Sequence, residues 1–270
     1  MVTTLLAARL VRGVPGSLAR AGSVTMRDIV STRRYWAVVV SGFFEPVLYL
    51  LSIGVGVGGL VHNFQLADGR VVSYASFVAP AMLAASAMNG ALAETANNFF
   101  GKLKWAKLYD GMVATPLRPF EVALGELTWA LMRGTIYSIA FLALMVGLDL
   151  TTALRTIPAF VASVLIGFSF GALGMAVSTF MRTWQDFDYT NVVIFAMFLF
   201  SGTFVPAQSY PVAMRAVVAL TPLYHGVELV RGFTTGAIGW SMLGNVAYLV
   251  TLAVVGLTIA SRRMTRLLCP

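Results

Sequence analysis

Three ionisable residues, Glu94, Glu126 and Arg133, fall in or beside segments otherwise apolar enough to enter a bilayer. A charge at the centre of a span costs about 3 kcal/mol on insertion scales, so such groups face a bundle interior and find partners. Glu126 and Arg133 stand two turns apart on one helical face. They can pair through a third group, or with other spans; with Glu94 they are also the raw material of a proton relay. Farther along, His225, Glu228 and Arg231 follow an i, i+3, i+6 spacing, so neighbours share a helix face. A Glu228–Arg231 ion pair is the ordinary reading, because one His and one Glu make a poor metal site. "GFSFG", Gly167 to Gly171, matches the G-x-S-x-G pattern of serine hydrolases. That pattern needs a strand–turn–helix context; here it sits within an apolar run, and His62 and His225 both fall in outer loops. Small residues for close helix packing account for Ser169 better than a nucleophile does. No catalytic residue and no metal ligand set is assigned, and no G-x-x-x-x-G-K-[ST] loop is present to hold ATP.

The segments that must position these residues are set by composition. The chain has 270 residues, of which 58% are hydrophobic and 11% charged. Soluble domains are about 45–50% apolar and about 25% charged. The excess is spread along the chain, which predicts an all-α integral membrane protein, since helices satisfy their own backbone groups in lipid. A barrel would show short alternating strands instead. The one cysteine, Cys269, excludes a disulfide within the chain. Arg9 and Arg12 interrupt the first apolar run, against a cleaved signal peptide.

Six segments approach the roughly 20 residues needed to cross, near 37–61, 74–97, 121–147, 157–180, 190–206 and 242–261. Basic residues orient them. Arg9, Arg12, Arg20, Arg27, Arg33 and Arg34 precede the first span. Lys102, Lys104, Lys107 and Arg118 follow the second, Arg182 the fourth, and Arg262, Arg263 and Arg266 the sixth. The opposite side holds only Arg70, Arg155, Arg215 and Arg231. Both termini are therefore expected on the cytoplasmic side of a plasma membrane. The net charge of +8 marks orientation and the anionic leaflet, not nucleic acid. One domain is expected over 1–270: tail and surface helix to 36, a bundle over 37–261, and a short tail over 262–270.

"VTMRDIVSTRRYW" before the first span reads either as a helix lying on the inner surface or as a disordered basic tail. Within that span Glu45 and Pro46 mark a kink, because the residue before proline is biased away from helix; Arg33 or Arg34 can answer the glutamate. Gly54 and Gly58 give a small-xxx-small packing face. Phe99 to Gly111 mixes basic residues with Phe100, Leu103, Trp105, Leu108 and Tyr109, which fits a short amphipathic helix, either a connector resting on lipid or a docking helix for a partner. Pro119 restarts a helix after it. The outer loop over 203–241 is proline-broken yet apolar, which fits a re-entrant hairpin of half-helices between spans five and six. Phe195, Phe198, Phe200 and Phe204 face either lipid or a path for an amphipathic cargo.

The order of these elements, with "EPVLYLLSIGVGVG" (45–58), "YASFVAPAMLAASAM" (74–88), "LYDGMVATPLRPFEVALGE" (108–126) and "PLYHGVELVRG" (222–232), resembles the permease subunits of type-2 ABC exporters. The resemblance is nearest to nodulation-factor (lipo-chitooligosaccharide) export permeases and daunorubicin-type drug permeases. It implies export of an amphipathic lipid, glycolipid, oligosaccharide or drug. It also implies a homo- or heterodimer of permeases in membrane lipid, served by two copies or two related chains of a cytoplasmic ATPase. ATP and Mg would bind that ATPase, with no cofactor in this chain. By the same resemblance Lys102, Lys104, Trp105, Lys107, Leu108, Tyr109 and Asp110 dock the ATPase, and the first and fifth spans meet at the dimer axis. A proton-coupled secondary transporter through Glu94, Glu126 and Arg133, an intramembrane serine protease, and a membrane assembly factor are the alternatives.

Overall fold

The computed structural model describes residues 16–33, 44, 47–48, 50–58, 64–65 and 71–268. Arg34, Glu45 and Pro46, and with them the expected kink into the first span, lie outside the described residues. Gly54 belongs to a short π-helical stretch, Leu50–Val57, and Gly58 to the turn after it. A two-residue antiparallel ladder, β1 (Phe64–Gln65) with β2 (Val71–Val72), precedes the main bundle.

Helix α1 runs Ser17–Thr32 and buries Ala21, Val24, Thr25 and Asp28. Those positions recur at i, i+3, i+4 and i+7, one helical stripe. The stripe packs on protein: the Thr25 hydroxyl donates to the Gly125 carbonyl at 2.9 Å. Met26 and Val30 point outward. A helix thus covers most of the expected segment, starts seven residues earlier than the basic stretch suggested, and is clamped along one side to the helix that carries Gly125.

Helix α2 begins at Tyr74, where the Ser73 hydroxyl accepts the Ser76 N–H at 3.1 Å as an N-cap. It runs to Leu92 and continues through two π-helical segments, Ala93–Asn98 and Gly101–Trp105. The continuous helix Tyr74–Trp105 is 32 residues long. Phe99–Trp105 is thus the end of this helix and not a separate amphipathic helix. The break comes at Lys107, whose φ of 45° turns the chain into α3, Leu108–Val113. Helix α4 (Pro119–Gly147) starts with proline in its first turn, and Glu121 Oε2 accepts the Arg118 N–H at 3.0 Å.

Helix α5 (Ala153–Ser178) is the centre of the bundle and packs against α2, α4 and two later helices, Pro222–Thr235 and Ser241–Leu268. Helix α6 (Asp186–Leu199) has 14 residues, roughly 21 Å of rise against a hydrocarbon core of about 30 Å. The fifth expected span, 190–206, is helical only to Leu199; Gly202, at φ 72°, lies in the turn that follows. Two further helices, α7 (Val212–Leu220) and α8 (Pro222–Thr235), occupy the expected outer loop, and α8 is buried along much of its length. Helix α9 (Ser241–Leu268) closes the bundle. It lies so near α5 that a Cβ on Gly256 would sit 2.8 Å from the backbone of Ala172 and Leu173. Among the described residues, four helices are long and apolar enough to cross a membrane: Tyr74–Trp105, α4, α5 and α9.

Candidate functional site

Charged side chains from three elements meet where α1, the end of α2 and the start of α4 converge. Arg27 Nη2 donates to Asp28 Oδ1 at 2.7 Å and to Glu126 Oε1 at 2.8 Å. Lys102 Nζ donates to Asp28 Oδ1 at 3.0 Å and to Glu126 Oε2 at 2.6 Å. Two cations and two anions alternate around a closed ring of zero net charge. The anions are the buried members, at 2% exposure for Asp28 and 4% for Glu126. A charge so desolvated is tolerable only while paired. The hydroxyl of Tyr109 is buried beside this ring without a hydrogen bond of normal geometry. Burial first, then the Glu126 charge, push its pKa well above the usual value. Burial pulls Arg27 down, yet Asp28 and Glu126 outweigh it and raise the guanidinium above its ordinary value. A second clamp, Arg20 on Glu121 through contacts of 2.6–2.9 Å, fixes the start of α1 to the start of α4.

Deeper in the bundle Arg133 pairs with Glu94 and donates from Nε to the Tyr137 hydroxyl at 2.9 Å, while Asn98 donates to the other Glu94 oxygen at 2.9 Å. Glu126 and Arg133, two turns apart, thus take different partners. At the opposite end of the bundle Arg231 Nη1 donates to Glu228 at 2.7 Å, as the spacing predicts. It also donates to the carbonyls of Phe77 at 3.3 Å and Gly202 at 2.8 Å, and lies 3.9 Å over the Phe77 ring. His225 stacks on Tyr248 at 4.0 Å, with its ring nitrogens 2.8 Å from Asn245 Oδ1 and 2.9 Å from the Ala219 carbonyl. The Ser169 hydroxyl, on α5, faces the carbonyl of Leu165 on the same helix at 2.7 Å and that of Leu249 on α9 at 2.9 Å. That is a helix-packing contact, with no strand–turn geometry for a nucleophile.

The seven residues at the α2–α3 corner divide into two sets. Lys104, Trp105, Lys107, Leu108 and Asp110 are exposed, Trp105 at 69%. Lys102 turns inward to the charge ring and Tyr109 is fully buried, so neither presents its end group to a partner as a docking residue would. The phenylalanines also divide. Phe195 is exposed, whereas Phe198 and Phe204 pack edge to face at 5.3 Å against the core. Arg33 is exposed beyond α1. Sequence reasoning missed Arg20, Arg27, Asp28 and Glu121 as members of the clamp. The available signal was Asp28, an acid in register with Ala21 and Val24 on the face that becomes buried.

Among the described residues, four helices long and apolar enough to cross a membrane, with buried ion pairs beside them, fit a multi-pass helical membrane protein. Residues 21–235 match the ABC-2 type transporter family, and the chain belongs to that family. It is 32% identical over 200 residues to Nodulation protein J of Rhizobium leguminosarum bv. viciae, covering 72% of this chain and 74% of that protein. Nodulation protein J of Neorhizobium galegae is 25% identical over 259 residues, 94% of this chain and 97% of the relative. The inner membrane transport permease YadH of Escherichia coli (strain K12) is 21% identical over 218 residues, 80% and 82% of the two chains. The chain is the membrane subunit of an ABC transporter, a multi-pass protein of the bacterial inner membrane.

Proposed function

We propose that the chain is the permease of an ATP-driven exporter. It pairs with a second permease, identical or related, and with a separate ATPase chain that binds ATP and Mg. The cargo is amphipathic: a lipid, a glycolipid or oligosaccharide, or a drug. Six crossings, cytoplasmic termini and a re-entrant α7–α8 hairpin complete the arrangement, with the basic residues around 102–107 on the cytoplasmic side.

The observation that carries this reading is the mounting of the exposed corner. Lys104, Trp105, Lys107, Leu108 and Asp110 offer an aromatic anchor in a polar rim, the make-up of interface hot spots. Lys104 and Trp105 end a continuous 32-residue helix, and Lys107, Leu108 and Asp110 follow directly across its break into α3. Two residues before Lys104, Lys102 is bonded into the ring that holds α1 and α4. A force applied at Trp105 therefore reaches three elements without passing through a flexible loop. In the proposed cycle ATP binding closes the ATPase subunits, the corner moves with them, and the spans tilt to open a path at the permease dimer axis. Coupling arises from the corner's differing contacts with the ATPase's states.

The test is co-purification of the ATPase with the wild-type chain and with a Lys104→Ala, Trp105→Ala, Leu108→Ala variant. The reading expects the variant to keep its fold and lose most of the bound ATPase.

A further inference from the structure

Among the described residues, helix α6 is attached to the rest of the chain mainly at its ends. Tyr189, Val192, Val193 and Phe195 along its length are exposed. At the far end Ile194, Met197 and Phe198 pack on the main core. At the near end Phe187 joins a small separate core with Ala96 and Phe100 of the α2 extension, flanked by Met181. Phe100 meets Phe187 edge to face at 5.1 Å. Trp184, in the turn before α6, meets Phe100 at 5.1 Å and Phe187 at 5.8 Å. Its ring also covers Gly101, where a Cβ would lie 3.6 Å from Cη2. The turn that presents Trp184 is held by Asp186, which accepts the backbone N–H of Arg182 at 2.7 Å and of Thr183 at 3.1 Å, and the Thr183 hydroxyl at 3.1 Å.

Phe100 and Gly101 immediately precede Lys102 in the segment that carries the exposed corner. We propose that the Phe100–Trp184–Phe187 cluster is the link through which movement of that corner displaces α6. The inference rests on the corner being the ATPase docking site. Edge-to-face aromatic contacts act over short range and hold a defined geometry, so the α2 extension and the start of α6 move together. With its flank free among the described residues, α6 tilts about its far attachment at Phe198 and Phe204. Trp184 and Phe187 are positioning residues: they touch neither nucleotide nor cargo.

The experiment uses the full chain assembled with its ATPase in lipid nanodiscs. Spin labels are placed at Tyr189→Cys and Thr258→Cys in a Cys269→Ser background, diluted with unlabelled chain. The label distance is read before and after trapping with ATP, Mg and vanadate. Trapping should shift the distance in the otherwise wild-type chain. Trp184→Ala should lose at least half of that shift while still binding the ATPase and trapping nucleotide, and Trp184→Phe should keep most of it. Phe187→Leu, a milder change, should reduce the shift in the same direction. A purely structural role would lower yield and melting temperature and leave the shift intact. A wild-type shift in Trp184→Ala overturns this inference alone; failure of the wild-type chain to bind ATPase overturns the docking reading and this inference with it.

Discussion

Lys102 Nζ lies 2.6 Å from Glu126 Oε2 and joins the last turns of α2 to the first turns of α4. Through Asp28 at 3.0 Å the same ammonium reaches α1. One lysine therefore ties three elements, and its loss leaves two buried carboxylates with Arg27 as their one cation among the described residues. Lys102→Met should destabilise the bundle by about 3–5 kcal/mol, the cost of stranding a buried charge. Adding Glu126→Gln restores neutrality and should recover much of that loss, a non-additivity expected within one network. Thermal unfolding of the single and double variants in detergent measures it.

A glycine sets how closely α1 approaches α4. A Cβ on Gly125 would lie 2.6 Å from both the Ala21 carbonyl oxygen and Val24 Cβ. Gly125→Val should lift α1 from α4, break the Thr25 hydrogen bond and expose Arg20 and Arg27 to trypsin. Gly134, on the same helix, has no neighbour beyond its own helical turns within 4 Å of an added Cβ among the described residues. Gly134→Ala should resist trypsin like the parent and gain up to about 1 kcal/mol from helix propensity.

Arg231 and Glu228 form a pair whose members differ in worth. Arg231 is buried and also serves two backbone carbonyls, whereas the Glu228 side chain is 37% exposed. Arg231→Lys cannot reproduce the guanidinium's fan of donors, and it should cost about 3 kcal/mol, the scale of two charge-assisted hydrogen bonds. Glu228→Gln keeps an acceptor for Arg231 and leaves both backbone carbonyl bonds in place, so it should cost less than Arg231→Lys. Melting temperatures of the two variants decide the order.

Ser169 distinguishes a packing contact from a nucleophile. Ser169→Ala removes one hydroxyl shared between two carbonyls and should cost about 1 kcal/mol. Nucleotide-driven activity of the assembled transporter should persist. A peptidase activity of the purified chain that vanished in Ser169→Ala would revive the intramembrane protease alternative.

Much of this architecture was legible where hydrophobicity and chain direction agree. Four of the expected spans coincide with the four long apolar helices, and Pro119 opens α4 as its type demands. The ion-pair partners were not legible. Glu126 and Arg133 share a face by spacing, but Glu126 is met by Arg27 and Lys102 and Arg133 by Glu94, contacts that only tertiary packing creates. The α2 extension read as a loop helix because Gly101, Lys102 and Lys104 break the apolar pattern, while the π-helical turns carry the backbone straight through them. The fifth span was drawn too long because hydropathy continues past Leu199 and does not register the turn at Gly202. At the docking corner the sequence offered seven candidates. Only side-chain direction separates Lys102 and Tyr109, which point inward, from the exposed five.

The central claim is that this permease engages a separate ATPase through the exposed corner at the end of α2. The most direct measurement is the affinity of the ATPase for detergent-purified wild-type chain against Trp105→Ala, Leu108→Ala. Binding should be at least tenfold weaker at an unchanged melting temperature, because both side chains are exposed, Trp105 at 69% and Leu108 at 37%. Equal binding by the two chains would contradict the claim.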